Sequence, residues 1–574
     1  MKNKTQLLLA VCLTLLSPLF SISQSKDLLL HKNNALMPER VGDPYLPNAD
    51  NNEKTSPVYI SGSGSLRNTS IFTMQANVNA SGQNILGDAA NEPNIAVNPL
   101  NEDQIVIGWR QFDNVSSNFR QAGWSYTSDG GQTWTFPGVI DPGMFHSDPV
   151  LDYDTAGNFY YNSLSGNFVC QVYKSTDGGA SWDAGTDAYG GDKQWMTIDR
   201  TTGVGSGNIY AFWTFVYSTC IPGFFTRSTD EGSSYEYCTE VEGYPFWGTM
   251  AVGNEGELYI AGSDTDGNVI VAKSLNAQSP DSLVSWNLPA FVFMDGYPGA
   301  GASVNPEGLL GQINIDVDRS GGAGQGNVYV LATLVRSSIG DQGDVMFAKS
   351  TDGGATWSSP IQINDDLSVT HTQWLATMSV APNGRIDAAW LDTRDTQPFT
   401  DSSALYYSYS IDQGSTWSVN EKLSDSFDPH VGYPNQNKMG DYIDMVSGNT
   451  SAHLAWANTL NGEEDVYYSR ITPDVVSSVN ENPVINFSVF PNPSNGVFIL
   501  TSPGFSGINS EKQSTVEICN ELGEKVYSEL NFSIKGPSDK TRNEIDISSQ
   551  PAGIYFLKMI DQEGYLVIKK IIIE

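Results

Sequence analysis

Basic residues are scarce: 30 Lys and Arg stand against 65 Asp and Glu in 574 residues, a formal net charge of −35. That shortage excludes a protein that wraps nucleic acid or coats an anionic membrane by electrostatics, since both need positive surface. Charge of either sign is sparse, at 17%, whereas 39% of residues are hydrophobic, so the chain is no charge-swollen disordered polymer and a large core is available. Beyond the N-terminal stretch, no segment approaches the roughly 18 consecutive apolar residues of a membrane-spanning helix. Histidine occurs five times. There is no His-Glu-x-x-His, Gly-x-Ser-x-Gly or phosphate-loop pattern, which argues against a metalloprotease, a lipase-type esterase or a nucleotide enzyme. Cys170, Cys220, Cys238 and Cys519 lie too far apart for a Cys-x-x-Cys site. Cys220 and Cys238 flank one predicted hairpin and are the candidate disulfide after export, with two free buried thiols as the alternative. No cofactor is certain. Ca2+ is the one candidate in an acidic exported chain, but metal ligands remain unnamed because no Asp-x-Asp-x-Asp-Gly loop occurs, Asp264–Asn268 being the nearest fragment.

What the chain has in quantity is turn-forming residue, 55 Gly and 28 Pro. At the N-terminus, Lys2 and Lys4 precede an apolar stretch from Leu7 to Phe20, then Ser21-Ile22-Ser23. This pattern predicts a signal peptide over 1–23. Further on, Ser/Thr-x-Asp-x-Gly-x-Ser/Thr-aromatic recurs at 127–134, 175–182, 228–235, 350–357 and 410–417. The Asp is expected to accept backbone N–H bonds across a hairpin turn, the Gly to relieve the backbone, and the aromatic to pack beneath. The Asp residues are 129, 177, 230, 352 and 412, and the interval from 230 to 352 is about twice the others. One unit therefore lacks a good box, and the best candidate keeps Lys273-Ser274 and Trp286 around a lengthened turn. Apolar strand pairs around Gly or Asn turns recur seven times, at 91–109, 147–162, 193–213, 246–262, 311–333, 373–390 and 439–456. After the last pair comes one more strand, from Asp465 to Arg470, and a closing strand is expected from within 57–78.

The boxes resemble the Asp-box repeats of sialidases and other secreted propellers. The resemblance and the count imply an all-β chain: a seven-bladed β-propeller over 55–472, with six blades as the alternative should one element be an insertion. Boxes lie on outer hairpins, so Asp129, Asp177, Asp230, Asp352 and Asp412 are read as structural. A different texture follows a linker at 473–483. Pro491-Asn492-Pro493 with Gly496, Pro551-Ala552-Gly553-Ile554-Tyr555, and Lys569-Lys570-Ile571 resemble the C-terminal sorting domain of type IX secretion cargo in Bacteroidota. That implies a small β-sandwich over 484–574, engagement with the type IX machinery, and a protein secreted or attached to the outer cell surface. Residues 24–54 read as an N-terminal linker.

Function in a propeller is expected at the channel mouth. Stepping back six positions from the first turn of each strand pair gives Glu92, Asp148, Lys193, Trp247, Gln312, Leu375 and Asp441, polar in five of seven places. His146, Asp192, Trp195, His371, Gln373 and Trp374 are neighbours. Rings that stack on sugars and carboxylates or amides that hold hydroxyls suit an extracellular polysaccharide or glycoconjugate. For a hydrolase, the carboxyl pairs come from Glu92, Asp148, Asp192 and Asp441. For a polysaccharide lyase, the base is His146, His371 or Tyr433. Lys193, Trp195, Trp247, Gln312, Gln373, Trp374, Arg110 and Arg394 are the expected substrate contacts. An exo-sialidase is disfavoured: the Arg-Ile-Pro motif is absent, and only Arg110 and Arg394 offer themselves for an arginine triad, although Tyr433 with Glu92 or Asp441 imitates a nucleophile and base. A non-catalytic glycan- or protein-binding disc stays open, with the same polar residues merely facing water and the tryptophans packing between blades.

Overall fold

The computed structural model describes residues 43–48, 55–57, 69–395, 401–473, 488–501, 514–520, 522–532, 543–560 and 566–574. The predicted signal peptide and most of both linkers lie outside them. The chain divides into two compact units, Met1–Asp474 and Val475–Glu574.

The alternating, β-branched and aromatic runs of the first unit form strands throughout, and its described residues hold no α-helix. They build seven larger antiparallel sheets in chain order, beside a two-stranded one of Thr55–Ser56 and Asn84–Ile85. The leading strands are Ala89–Val97, His146–Tyr153, Trp195–Ile198, Met250–Val252, Asn314–Val317, Gln373–Val380 and Asp444–Ser447. Each leading strand lies against the next, and the seventh lies against the first, which closes a propeller-like ring. At six of the seven junctions a side chain on, or one residue before, one leading strand accepts a backbone N–H from the next. Asn94 Oδ1 takes Leu151 N (2.7 Å), Asp152 Oδ2 takes Ile198 N (2.8 Å) and Thr249 Oγ1 takes Ile315 N (2.9 Å). Asp316 Oδ2 takes Val380 N (2.8 Å), Ser379 Oγ takes Ser447 N (3.0 Å), and Asp444 Oδ2 takes Ile95 N (3.1 Å). Neighbouring sheets are thus stitched as well as packed.

The seventh sheet takes its outer strand from before the first sheet. Thr69–Gln75 pairs with Asp465–Pro473, Thr69 opposite Pro473 and Gln75 opposite Tyr467, as the expected closure requires.

All five boxes share one hydrogen-bond pattern. The Ser or Thr two residues before the Asp donates to Oδ1, and the residue four after it donates its N–H to Oδ1 and its hydroxyl to Oδ2, all at 2.6–3.0 Å. Gly131 shows why a glycine is needed: its φ is +85°, and a Cβ there would strike the Tyr468 ring. In the long interval Asn276 takes the place of the Asp. Its Oδ1 accepts from Ser285 N (2.9 Å) and Ser274 Oγ (3.2 Å), and its Nδ2 donates to Leu283 O (2.9 Å).

Cys220 and Cys238 are joined by a disulfide, while Cys170 and Cys519 are buried thiols. In the second unit, Ser488–Phe490, Val497–Thr501 and Asn543–Asp546 form one sheet. Ser514–Asn520, Lys525–Phe532, Gly553–Ile560 and Leu566–Ile573 form another. Both contribute to one core that includes Phe498, Ile518, Ile545, Tyr555, Leu557 and Ile571.

Candidate functional site

At the start of the leading strands the backbone turns left-handed. Glu92 (φ 50°), Asp148 (49°), Lys193 (56°), Trp247 (57°) and Leu375 (49°) hold the conformation in five sheets, and Gly311 (141°) and Gly440 (102°) have positive φ in the other two. In three sheets the register slips across this point. Asn91 faces Arg110 but Asn94 faces Gly108, Ser147 faces Leu164 but Val150 faces Asn162, and Trp374 faces Leu391 but Thr377 faces Ala389. Each is a bulge that turns the chain into the ring. The strained position recurs at Leu375, which has no chemistry to offer, so the bulge sets it rather than a reaction. Gln312 and Asp441 stand one residue past the left-handed glycine, so equal spacing from the turn misplaces them by a step.

The bulges bring charge together. Glu92 Oε2 lies 3.2 Å from Arg110 Nε, and its Oε1 lies 3.0 Å from Lys438 Nζ. Asp441 Oδ2 is 2.8 Å from both Lys438 Nζ and Lys193 Nζ. Asp192 Oδ2 is 3.5 Å from Lys193 Nζ. Asp148 accepts from Lys193 N (3.2 Å) and from Ser147 Oγ (2.5 Å), and Ser147 Oγ in turn accepts from Arg120 Nε (3.0 Å). Carboxylates from the first, second and seventh sheets, with Asp192 just before the third, therefore meet on two lysines. The cluster is nearly closed: side-chain exposure is 0% for Glu92, 3% for Asp441, 4% for Asp192 and 12% for Lys193.

Burial and neighbours split the four acids. Burial pushes Glu92 up to about 7, with Asp148 and Asp441 adding to the rise and Arg110 and Lys438 opposing it. Burial likewise lifts Asp192 to about 6. At Asp148 burial is outweighed by Lys193, Arg110 and Lys438, which hold the carboxyl below its ordinary value. Lys193 and Lys438 outweigh burial at Asp441 and hold it well below. Two acids thus favour the proton and two favour ionisation.

Other expected site residues lie elsewhere. His371, Gln373 and Arg394 gather on Asp366: His371 Nδ1 is 3.1 Å from Oδ2, Gln373 Nε2 donates to Oδ1 at 3.3 Å, and Arg394 Nη2 is 3.6 Å from Oδ1. Arg110 and Arg394 therefore sit in separate groups, and no arginine triad forms from them. His146 is buried, with Nδ1 3.1 Å from Ser163 Oγ. Tyr433 has a buried hydroxyl with no hydrogen-bond partner among the described residues, and burial raises its pKa. Trp247 and Trp374 are 1% and 0% exposed, and Trp374 Nε1 donates to Ser403 Oγ. They pack the core and present no face to a sugar. Trp195 rests edge-on against Tyr442 and lines a cavity of about 240 Å³ along the ring axis, to which all seven sheets contribute. Asp152–Arg200 and Asp316–Arg319 pair at the far end of that cavity, where the turns place them. Gln312 is 2% exposed, and neither of its amide atoms has a partner among the described residues. Lys438 and Arg120 are central members that sequence reasoning did not single out. Their only sequence signal is nearness to Asp441 and to the first box hairpin. Among the described residues no group of three or more His, Cys, Asp or Glu is placed to hold a metal ion.

No curated protein matches the chain in sequence. Solved structures resemble it remotely, three of them as follows. A protein of unknown function from Dyadobacter fermentans is 13% identical and covers 70% of this chain and 98% of its own, with a TM-score of 0.40. An α-L-arabinanase of Penicillium chrysogenum complexed with arabinobiose is 13% identical over 73% and 99%, at 0.37. A Trypanosoma rangeli sialidase with the inhibitor DANA is 10% identical over 86% and 87%, at 0.30. Likeness at this level says nothing of chemistry. The family described as secretion system C-terminal sorting domain matches residues 488–574. No helix among the described residues is long and apolar enough to cross a membrane. The second unit of the chain is thus a type IX sorting domain, and the protein is an exported one, secreted or attached at the cell surface.

Proposed function

We propose that the first unit is a seven-bladed β-propeller, the second a β-sandwich, and that the propeller hydrolyses an extracellular glycan at the ring mouth above Lys193. One observation carries this reading: Asp192, with a pKa of about 6, and the ionised Asp441 share the ammonium of Lys193, at 3.5 and 2.8 Å. Two carboxyl groups driven apart in proton affinity are what glycoside hydrolysis requires, one to protonate the leaving oxygen and one to stabilise or attack. Asp192 is the proton donor in this scheme, Asp441 and Asp148 are the ionised partners, and Lys193, the most exposed member, meets the substrate first. A lyase is less well served, because His146, His371 and Tyr433 all lie outside the cluster.

The near-complete burial of the acids favours a second reading, in which the ion pairs only lock the mouth and the disc binds glycan without cleaving it. Incubating the mature protein with neutral, uronic, sulfated and sialylated polysaccharides separates the two. New reducing ends without 235 nm absorbance, reduced about 100-fold or more in Asp192→Asn, are the expected result. Retention on one polysaccharide without cleavage would establish the binding disc, and silence in both assays would sink both readings.

A further inference from the structure

A second concavity lies away from the ring mouth. Residues 43–48 are tied to the loop that follows strand Ile105–Phe112: Tyr45 Oη donates to Asp113 Oδ2 (3.0 Å), Ser117 Oγ donates to Pro44 O (2.6 Å), and Asn114 Nδ2 donates to Pro47 O (3.2 Å). Between this stretch and the first sheet is a cavity of about 410 Å³, within the range of roughly 300–1,000 Å³ usual for ligand pockets. Tyr45, Phe136, Ile85 and Val139 supply apolar wall, and Asp88, Gln111 and Asp113 supply the polar groups. Asp88 is 2% exposed. Its Oδ2 accepts from Gln111 Nε2 at 3.0 Å, but its Oδ1 is buried with no partner among the described residues. A buried carboxyl oxygen without a partner among the described residues, at a cavity wall, is a place for a hydrogen-bonding group of a ligand. Gly138 also lines the space, and a Cβ built on it meets nothing within 4 Å.

The lining selects the ligand. It contains no Lys, Arg or His, so nothing pairs with a sulfate, phosphate or uronate. Its two carboxyl groups are not part of any group placed to hold a metal ion. A ring with one apolar face and hydroxyl donors fits both walls at once.

We propose that this cavity is a second, non-catalytic binding site for a neutral saccharide unit, which lies against Tyr45 and Phe136 and whose hydroxyl hydrogen-bonds with Asp88 Oδ1. Burial, with Asp465, Glu463 and Asp113 nearby, raises the Asp88 carboxyl well above its ordinary value, which suits a neutral ligand better than a cation. The site stands apart from the ion-pair cluster and does not depend on whether the ring mouth hydrolyses anything.

Calorimetric titration of the mature protein tests it, with xylo-, cello- and manno-oligosaccharides as probes and with oligogalacturonate and spermidine as anionic and cationic comparators. At least one neutral oligosaccharide is expected to bind. Val139→Trp, which fills the space, Tyr45→Ala, which removes an exposed wall, and Asp88→Ala are each expected to weaken it about tenfold or more, whereas Asp192→Asn leaves it unchanged. Should Asp88→Ala fail to fold, the other two variants decide. Binding that survives Val139→Trp and Tyr45→Ala, binding lost in Asp192→Asn alone, preference for either charged probe, or no binding by any neutral probe would each overturn the proposal.

Discussion

Lys193 shows how much one side chain holds at the ring mouth. Its ammonium lies 2.8 Å from Asp441 and 3.5 Å from Asp192, and its backbone N–H reaches Asp148. Removing it leaves Asp192 without its cation and Asp441 with Lys438 alone, a loss that costs about 3–5 kcal/mol where a buried pair is broken. Lys193→Met is therefore expected to lower the Tm by several degrees, and a melting curve superimposable on wild type would show that the pairs contribute nothing. Asn276 makes a contrary case. Restoring the consensus by Asn276→Asp looks conservative, yet the Nδ2 that donates to Leu283 O at 2.9 Å would become an oxygen facing an oxygen. The variant is expected to be less stable by about 1 kcal/mol, and a gain in Tm would refute this account of the turn. At this scale sequence reading reached Glu92, Asp148 and Lys193 because they occupy the repeat's left-handed position, and Asp441 although it stands one residue past it. It missed Lys438, which reaches both Glu92 and Asp441 from a loop between strands, because loop placement leaves no period to read.

Among the elements, the box hairpins and the closing strand were the most legible. Each box is satisfied by hydrogen bonds within four residues of its Asp, so the local sequence suffices to specify it. The closing strand was legible for a different reason: the seventh unit lacks an outer strand in the sequence that follows it, which leaves an edge that something must pair. The bulges were not legible. Their left-handed residues include Trp247 and Leu375, side chains that give no warning of positive φ. At Gln312 and Asp441 the single-step error arises because a glycine, Gly311 or Gly440, takes the positive φ one residue earlier. Closure by Thr69–Gln75 predicts that a chain starting at residue 79 exposes strand Asp465–Pro473 and loses the contact of Ile71, 6% exposed, with its core. Such a truncation is expected to elute as aggregate and melt lower than a chain starting at residue 55, as read by light scattering and calorimetry. A monomer of unchanged Tm would mean that the outer strand is dispensable.

Over the whole molecule, acidity acts in two ways that pH and salt can separate. Glu92 is raised to about 7, Asp192 to about 6, and Asp444 and Asp465 to about 7, in each case first by burial. A group whose folded pKa lies above its unfolded one contributes its full stability below the unfolded value and loses it as pH rises through the folded value. These four therefore withdraw stability between about pH 4 and 7. The opposite holds for Asp441, Asp148 and the box Asp residues, all of them lowered. Their contribution is present above about pH 4 and fades as pH falls through their folded values. Self-repulsion from a net charge of −35 adds to the loss at neutral pH, but salt screens it, whereas buried titrations are screened far less. The Tm is accordingly expected to be highest near pH 5 and lower at pH 8. Half-molar salt should recover only part of the difference, and Glu92→Gln should narrow what remains by removing one of the raised acids. A Tm that climbs steadily to pH 8 would mean that these carboxyls are ionised in the folded ring at no cost. A pH dependence that salt abolishes would assign the effect to surface charge alone.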